Sequence, residues 1–172
     1  MNAAALAEPD RTAQAWAVLA GVPDPEVPAI SLCELGVVRE VRDHGTSLEV
    51  VLTPTYSGCP ATEFIERSVV EAIDAAGLGP ARVTLQRAPA WTTDWISEDG
   101  KRKLRAYGIA PPGPVVDAVV PIRIVGRRRD TVACPRCSSA HTERLSAFGS
   151  TACKALWRCL DCREPFEHFK PL

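Results

Sequence analysis

Two Cys-x-x-Cys pairs, CPRC at 134–137 and CLDC at 159–162, limit how this chain can fold more than any other feature. They are separated by 21 residues. That is slightly above the roughly 15–20 usual for paired-cysteine zinc sites. Two such knuckles place Cys134, Cys137, Cys159 and Cys162 as a tetrahedral set on one ion, which predicts structural zinc. Iron, or an iron–sulfur cluster, is the rival occupant of four thiolates. A fully thiolate-ligated ion has no open position, so the site is expected to be structural rather than catalytic. It would hold together a segment of about 40 residues, too small for an adequate core of its own. Cys153 is a fifth thiol in this stretch. It reads either as a small buried hydrophobe or as an exchangeable ligand near the metal, and spacing alone favours the first. With four thiolates completing the site, His141 and His168 read as surface or neighbouring groups.

Charge divides the chain in a similar place. Residues 1–120 carry 10 Lys/Arg against 16 Asp/Glu, whereas residues 121–172 carry 10 against 5. The contrast predicts a boundary near residue 120 and raises an acidic partner for the basic end. No run approaches the roughly 18 apolar residues of a membrane helix. The start, MNAAALAEPD, lacks the order of a signal peptide. A cytoplasmic protein is expected, and in a reducing compartment paired cysteines read as metal ligands or redox thiols.

The N-terminal part reads as a compact α+β domain in the order helix, strand, strand, helix, strand. DRTAQAWAVLA suits a short helix with Asp10 as N-cap and Gly21 as its stop. VPDPEVPAISLCELG should be an ordered loop, because its prolines fix φ and remove donors. GVVREVRD and TSLEVVLT then read as two strands turning at His44-Gly45. From Pro60 to Ala76, Phe64, Ile65, Val69, Ala72, Ile73 and Ala76 recur at helical spacing. ARVTLQR alternates as a third strand. WTTDWISEDGKRKLRAYG carries two tryptophans and a basic cluster, which suggest a covering element or an exposed interaction surface. The expected division is a domain over 1–109, a Pro/Arg-rich linker over 110–130 and a zinc ribbon over 131–172.

Cys59 precedes Pro60 and is expected at a helix N-terminus, where free N–H groups and the dipole favour a thiolate. A nucleophile, a redox thiol, a metal ligand and a plain capping turn all remain open there. Asp24 and Glu26 flank Pro25 and could bind a cation, though a capping turn is the simpler reading. Cys33 is expected in the core.

DPEVPAISLCELGVVREV followed by LTPTYSGCPATEFIE resembles the small α+β domain of the SufT-like iron–sulfur assembly factors. WTTDWISEDGKRKLRAYGIAPP and the tail CPRC…FGSTACKALWRCLDCREPFEHFK narrow the resemblance to the PaaD family, encoded with bacterial phenylacetyl-CoA epoxidase. The resemblance spans roughly residues 10–172. It implies functional roles for Asp24, Glu26 and Cys59 in iron or cluster transfer, and it raises Cys153 through the FGSTACKAL motif. It further implies a labile iron or iron–sulfur cargo beside the structural zinc, and the epoxidase oxygenase and reductase components as partners. Whether two chains share a cluster as a homodimer is left open.

The expected function is accessory: a maturation factor, or else a subunit that stays bound through Trp91, Trp95 and the Lys101–Arg105 cluster. Nucleic-acid binding through the ribbon and Arg127–Arg129 ranks lowest, because stacking aromatics are not interleaved with the basic run. An enzyme using Cys59 as nucleophile lacks an evident partner among His44, His141 and His168.

Overall fold

A computed structural model describes residues 10–56, 58, 60–113 and 131–172. The expectations for the first nine residues, for Cys59 and for linker positions 114–130, including Arg127–Arg129, lie outside the described residues. The chain divides into two compact units, Met1–Pro89 and Ala90–Leu172.

In the first unit, helix α1 (Arg11–Leu19) is capped by Asp10, whose side chain accepts from the Thr12 amide at 3.2 Å. It buries Ala15 and Leu19. Arg11 fixes its start by donating to Asp43 (3.0 Å), to the Gly45 carbonyl (2.9 Å) and to the Leu78 carbonyl (2.6 Å). Strands β1 (Val38–Asp43) and β2 (Leu48–Leu52) pair antiparallel across the His44-Gly45 turn. Gly45 adopts φ +80°, a left-handed conformation that glycine supplies without a Cβ clash.

Helix α2 (Thr62–Ala75) buries Ile65, Val69 and Ile73, one stripe at four-residue spacing. Its first helical hydrogen bond runs from the Ile65 amide to the Ala61 carbonyl, so Pro60 sits in the turn before the helix. Strand β3 (Ala81–Leu85) returns parallel to β2, a pairing that needs a crossover such as α2. The sheet order is β1-β2-β3, and all five residues of the central strand are buried.

Glu49 is therefore a buried carboxylate on the second face of β2. It accepts from the Thr84 hydroxyl at 2.6 Å and lies 3.0 Å from His44 Nε2, 3.4 Å from Arg82 and 3.6 Å from Arg42. Glu40 is tied to Arg42 on the same face. The bonds from Thr84 and His44, with Arg82 beside them, hold the Glu49 carboxyl down at about 2, against an ordinary 4.5. A depressed folded value means that this contribution to stability is present above the ordinary value and is lost as pH falls toward 2. Denaturation of this unit, followed by Trp16 fluorescence, should become easier between about pH 5 and about pH 3. Glu49→Gln should flatten that dependence. An unchanged slope in the variant would show that Glu49 does not carry it.

In the second unit, a 3-10 turn (Thr93–Trp95) leads into helix α3 (Glu98–Tyr107), where the Ser97 side chain caps the Gly100 amide. The helix buries Leu104 and ends at Gly108 with φ +98°. Lys101 and Arg102 pair with Glu98 and Asp99 one turn earlier, both at 2.8 Å. Strand β4 (Ile109–Ala110) follows directly, and β5 (Thr142–Ser146), β6 (Lys154–Cys159) and β7 (Pro165–Phe169) complete a sheet of order β4-β7-β6-β5.

Two expectations change here. The segment 90–109, assigned from sequence to the N-terminal domain, groups with the cysteine-rich half, because β4 pairs in parallel with β7. Trp91, offered as an exposed interface residue, is 5% exposed and packs 5.9 Å from the Phe169 ring. Trp95 is half-buried. Among the described residues, no helix is long and apolar enough to cross a membrane.

Candidate metal centre

The two knuckles are built alike. In each, the first cysteine's amide donates to a carbonyl five residues on: Cys134 to Ser139 at 2.9 Å, and Cys159 to Glu164 at 3.0 Å. In each, the residue after the second cysteine is left-handed, Ser138 at φ +62° and Arg163 at φ +65°. Non-glycine residues adopt this conformation at a cost, so the same strain at equivalent positions marks a turn shaped for a purpose. Asp161, in the second knuckle, accepts from Ser139 and lies 3.1 Å from His141 Nδ1, both just beyond the first knuckle. The Ser139 hydroxyl and then His141 hold its carboxyl below the ordinary range.

Together the knuckles bring Cys134, Cys137, Cys159 and Cys162 within 4.8 Å of one another. Cys134 Sγ lies 3.8 Å from Cys162 Sγ, and Cys137 Sγ lies 3.5 Å from Cys159 Sγ. Metal–sulfur bonds of roughly 2.3 Å give a sulfur tetrahedron an edge of about 3.8 Å. The donor set therefore fits a single ion. A polynuclear cluster interposes its own iron and sulfide and needs the thiolates further apart. The amides of Cys162 and Asp161 hold the Cys159 thiol down at about 6. At Cys162 the Glu164 amide also lowers the thiol, but lost hydration and the neighbouring sulfurs outweigh it and push the thiol up to about 12. A cation among four sulfurs this close would offset the repulsion between their thiolates.

Around the site, Ala110, Val132, Ala155, Trp157 and Phe166 form a small core with Cys134 and Cys159. Among the described residues the buried Trp157 indole N–H has no hydrogen-bond partner, and its ring meets His168 edge-on at 5.9 Å.

Cys153 does not join the four thiols. It precedes β6, whose last residue is Cys159. Six extended steps of about 3.3 Å put the two cysteines about 20 Å apart. Cys153 is buried, and its sulfur lies 3.0 Å from Thr151 Oγ1. A role as a fifth ligand near this metal is thereby overturned by strand geometry.

In the first unit, Asp24 is 6% exposed and its Oδ1 accepts from the amides of Glu26 (3.0 Å) and Val27 (2.8 Å). That oxygen makes the capping turn, and Glu26 stands exposed beside it. A ladder of backbone bonds connects this turn to the end of β2. Asp24 donates to Ile30, Leu32 to Val22, Val37 to Leu32, and Thr53 to Val37. Thr53 opens the TPTYSGCP segment, and its hydroxyl is buried without a partner among the described residues. Nothing in the sequence alone distinguished this threonine. Cys33 is half-buried, and burial, then Glu34, pushes its thiol up to about 11.

Sequence reading also missed Lys154 and Glu167. Lys154 is 2% exposed, and its Nζ lies 3.0 Å from Glu167 Oε2. The other Glu167 oxygen accepts from the Ser150 amide at 2.6 Å. Burial raises the Glu167 carboxyl, but Ser150 and Lys154 outweigh it and leave it below the ordinary range. Opposite charges on neighbouring strands were the available signal, but one that needs the register.

Comparison with known proteins agrees with this two-part construction. Residues 121–170 match the family described as PaaD zinc beta ribbon domain, and residues 12–85 match that described as iron–sulfur cluster assembly protein. The chain is 47% identical over 171 residues to a protein of Escherichia coli (strain K12) named as a putative subunit of 1,2-phenylacetyl-CoA epoxidase, covering 99% of each. Among solved structures, it is similar to a domain of unknown function, DUF59, from Bacillus anthracis. That match has 25% identity and a TM-score of 0.50, covering 55% of this chain and 91% of the other.

Proposed function

Because this chain belongs to the PaaD family, we propose that it is a non-catalytic accessory protein of a phenylacetyl-CoA epoxidase, acting in the maturation of that enzyme's iron or iron–sulfur centres. The observation that carries this reading is the joining, in one chain, of an iron–sulfur-assembly domain at 12–85 to a separate four-thiol ribbon. In this reading the ribbon is scaffold and the first unit handles cargo. Zinc is the proposed occupant of Cys134, Cys137, Cys159 and Cys162, since the sulfur spacing suits one tetrahedral ion. A saturated zinc supplies a cross-link and no chemistry of its own.

Iron or a cluster is the proposed cargo, with Cys59, Asp24 and Glu26 as its transient ligands. Two hard carboxylates and one thiolate hold iron less firmly than an all-thiolate or enclosed client site, which favours release. The Thr53 hydroxyl at the root of the Cys59 segment, buried without a partner among the described residues, supports a polar ligand there. Cys153 is the second candidate carrier thiol, and its burial means that its loop must open before it can serve. The proposed clients are the oxygenase and reductase components, met in the cytoplasm.

Anaerobic purification of wild type, Cys59→Ser and Cys153→Ser, with metal and sulfide analysis, tests the assignment. Zinc should be present in all three, and iron should be lost on Cys59→Ser. In cells, Cys59→Ser should fold normally yet leave the epoxidase inactive. Zinc alone in every preparation would end the cargo reading. A permanent subunit is the second reading, supported by the name of the Escherichia coli relative. Co-purification with the epoxidase at fixed stoichiometry distinguishes it from a transient factor.

A further inference from the structure

The loop between β5 and β6 holds an aromatic ring in solvent at a fixed place. Phe148 is 64% exposed, yet the backbone beneath it is anchored at nearly every step. The Phe148 amide donates to Ser146 Oγ at 3.1 Å, and the Gly149 amide to the Lys154 carbonyl at 2.8 Å. Ser150 donates to Glu167, and the Lys170 amide donates to the Cys153 carbonyl at 3.0 Å. A β-bulge between Arg144 and Ser146 leaves Leu145 exposed on the edge strand next to the loop. Lys170 stands over the Phe148 ring, with Nζ 4.7 Å from its centroid.

Folding gains little from a phenylalanine left in water, whereas an ordered exposed aromatic is the usual anchor of an interface. The ordering matters energetically. A loop already fixed loses little conformational freedom on binding, so more of the contact energy appears as affinity. The charge around it is one-sided. The carboxylates on the adjoining strands are engaged, Glu143 by Arg158 and Glu167 by Lys154, which leaves as the cations beside the ring exposed Arg144 and half-buried Lys170, whose ammonium also donates to the Ala147 carbonyl at 3.4 Å.

We infer that Phe148, with Leu145 beside it and a cationic rim from Lys170 and Arg144, docks this protein onto an epoxidase component that offers an apolar socket edged by carboxylates. The inference rests on the accessory reading above and adds where the chain grips its client.

The test uses the full-length, metal-loaded chain and the purified oxygenase and reductase components. Wild type should bind one of them, with affinity falling as salt rises. Phe148→Ala should weaken that binding about 30-fold, the factor that corresponds to a hot-spot loss of about 2 kcal/mol. Lys170→Glu should weaken it and remove much of the salt dependence. Both variants should keep the wild-type metal content and circular dichroism, since neither side chain is part of the buried core or of the thiol site. If wild type binds a component and both variants bind it equally well, the docking loop is wrong while the accessory reading stands. If wild type binds neither component, the accessory reading fails and the docking inference with it. Loss of a homodimer in Phe148→Ala, with component binding intact, would assign the loop to a second copy of this chain and overturn the inference.

Discussion

Replacing Cys134 by Ser, or withdrawing the metal with a chelator, should unfold the Ala90–Leu172 unit and leave Met1–Pro89 folded. The reason is the size of the second core. Among the described residues, the cluster at the ion adds Ala110, Val132, Ala155, Trp157 and Phe166 to two of the ligating cysteines, and the rest of the unit buries Trp91, Ile96, Leu104, Ile109 and Phe169. A core of this size leaves little margin over the ordering of a four-stranded sheet and its helix. Binding of a structural zinc ion contributes about 10–16 kcal/mol in zinc-finger peptides, as much as a typical domain's whole stability. Without the ion, the strained turns at Ser138 and Arg163 lose what holds them, and closely packed thiols repel once ionised. The first unit has its own core on both faces of β2, and the four ligating thiols all lie in the second. Loss of near-UV circular dichroism from Trp157, together with loss of amide protection in β6, would report the collapse. Protection in β2 should persist. A ribbon that kept its protection at full metal loss would show that the apolar cluster suffices alone.

What the sequence made legible was mostly local. Helix α2 was visible because Ile65, Val69 and Ile73 recur at helical spacing, and the β1–β2 hairpin because glycine sits at its turn. The four thiols were legible because each knuckle is a short chain segment whose spacing carries the chemistry. What escaped reading depends on register between distant segments. Strand β4 is only two residues long, and its place beside β7 comes from pairing Ile109 with Glu167 across the chain. That pairing moves α3 and Trp91 into the ribbon's unit. Glu49 reads as the solvent-facing position of an alternating strand, but Thr84, His44 and two arginines close over it. Asp24 shows the opposite limit. Its capping role was visible in PDPE, whereas its backbone link to Thr53 runs through three other segments.

The Lys154–Glu167 pair gives the second large effect, and it depends on which partner is removed. Lys154 is among the most deeply buried side chains of the protein, and Glu167 Oε2 lies 3.0 Å from its ammonium. Glu167→Ala leaves that charge buried without its carboxylate. Breaking a buried pair from one side costs about 3–5 kcal/mol, because the desolvation of the remaining ion is no longer compensated. The variant also releases the Ser150 amide and so loosens the base of the Phe148 loop. Gly149 shows how closely that carboxylate is packed, since a Cβ there would meet Glu167 Oε1 at 2.6 Å. Removing both charges should behave differently. Lys154→Met with Glu167→Leu leaves no buried ion to compensate, and apolar replacements of a buried pair are often neutral or stabilising. Denaturation of the metal-loaded chain, followed by Trp157, should therefore rank the double variant close to wild type and far above Glu167→Ala. A double variant as unstable as the single one would mean that the loop depends on the Ser150–Glu167 bond, and not on the neutralisation of Lys154. Equal stability of Glu167→Ala and wild type would mean that Lys154 finds another acceptor when its carboxylate is gone.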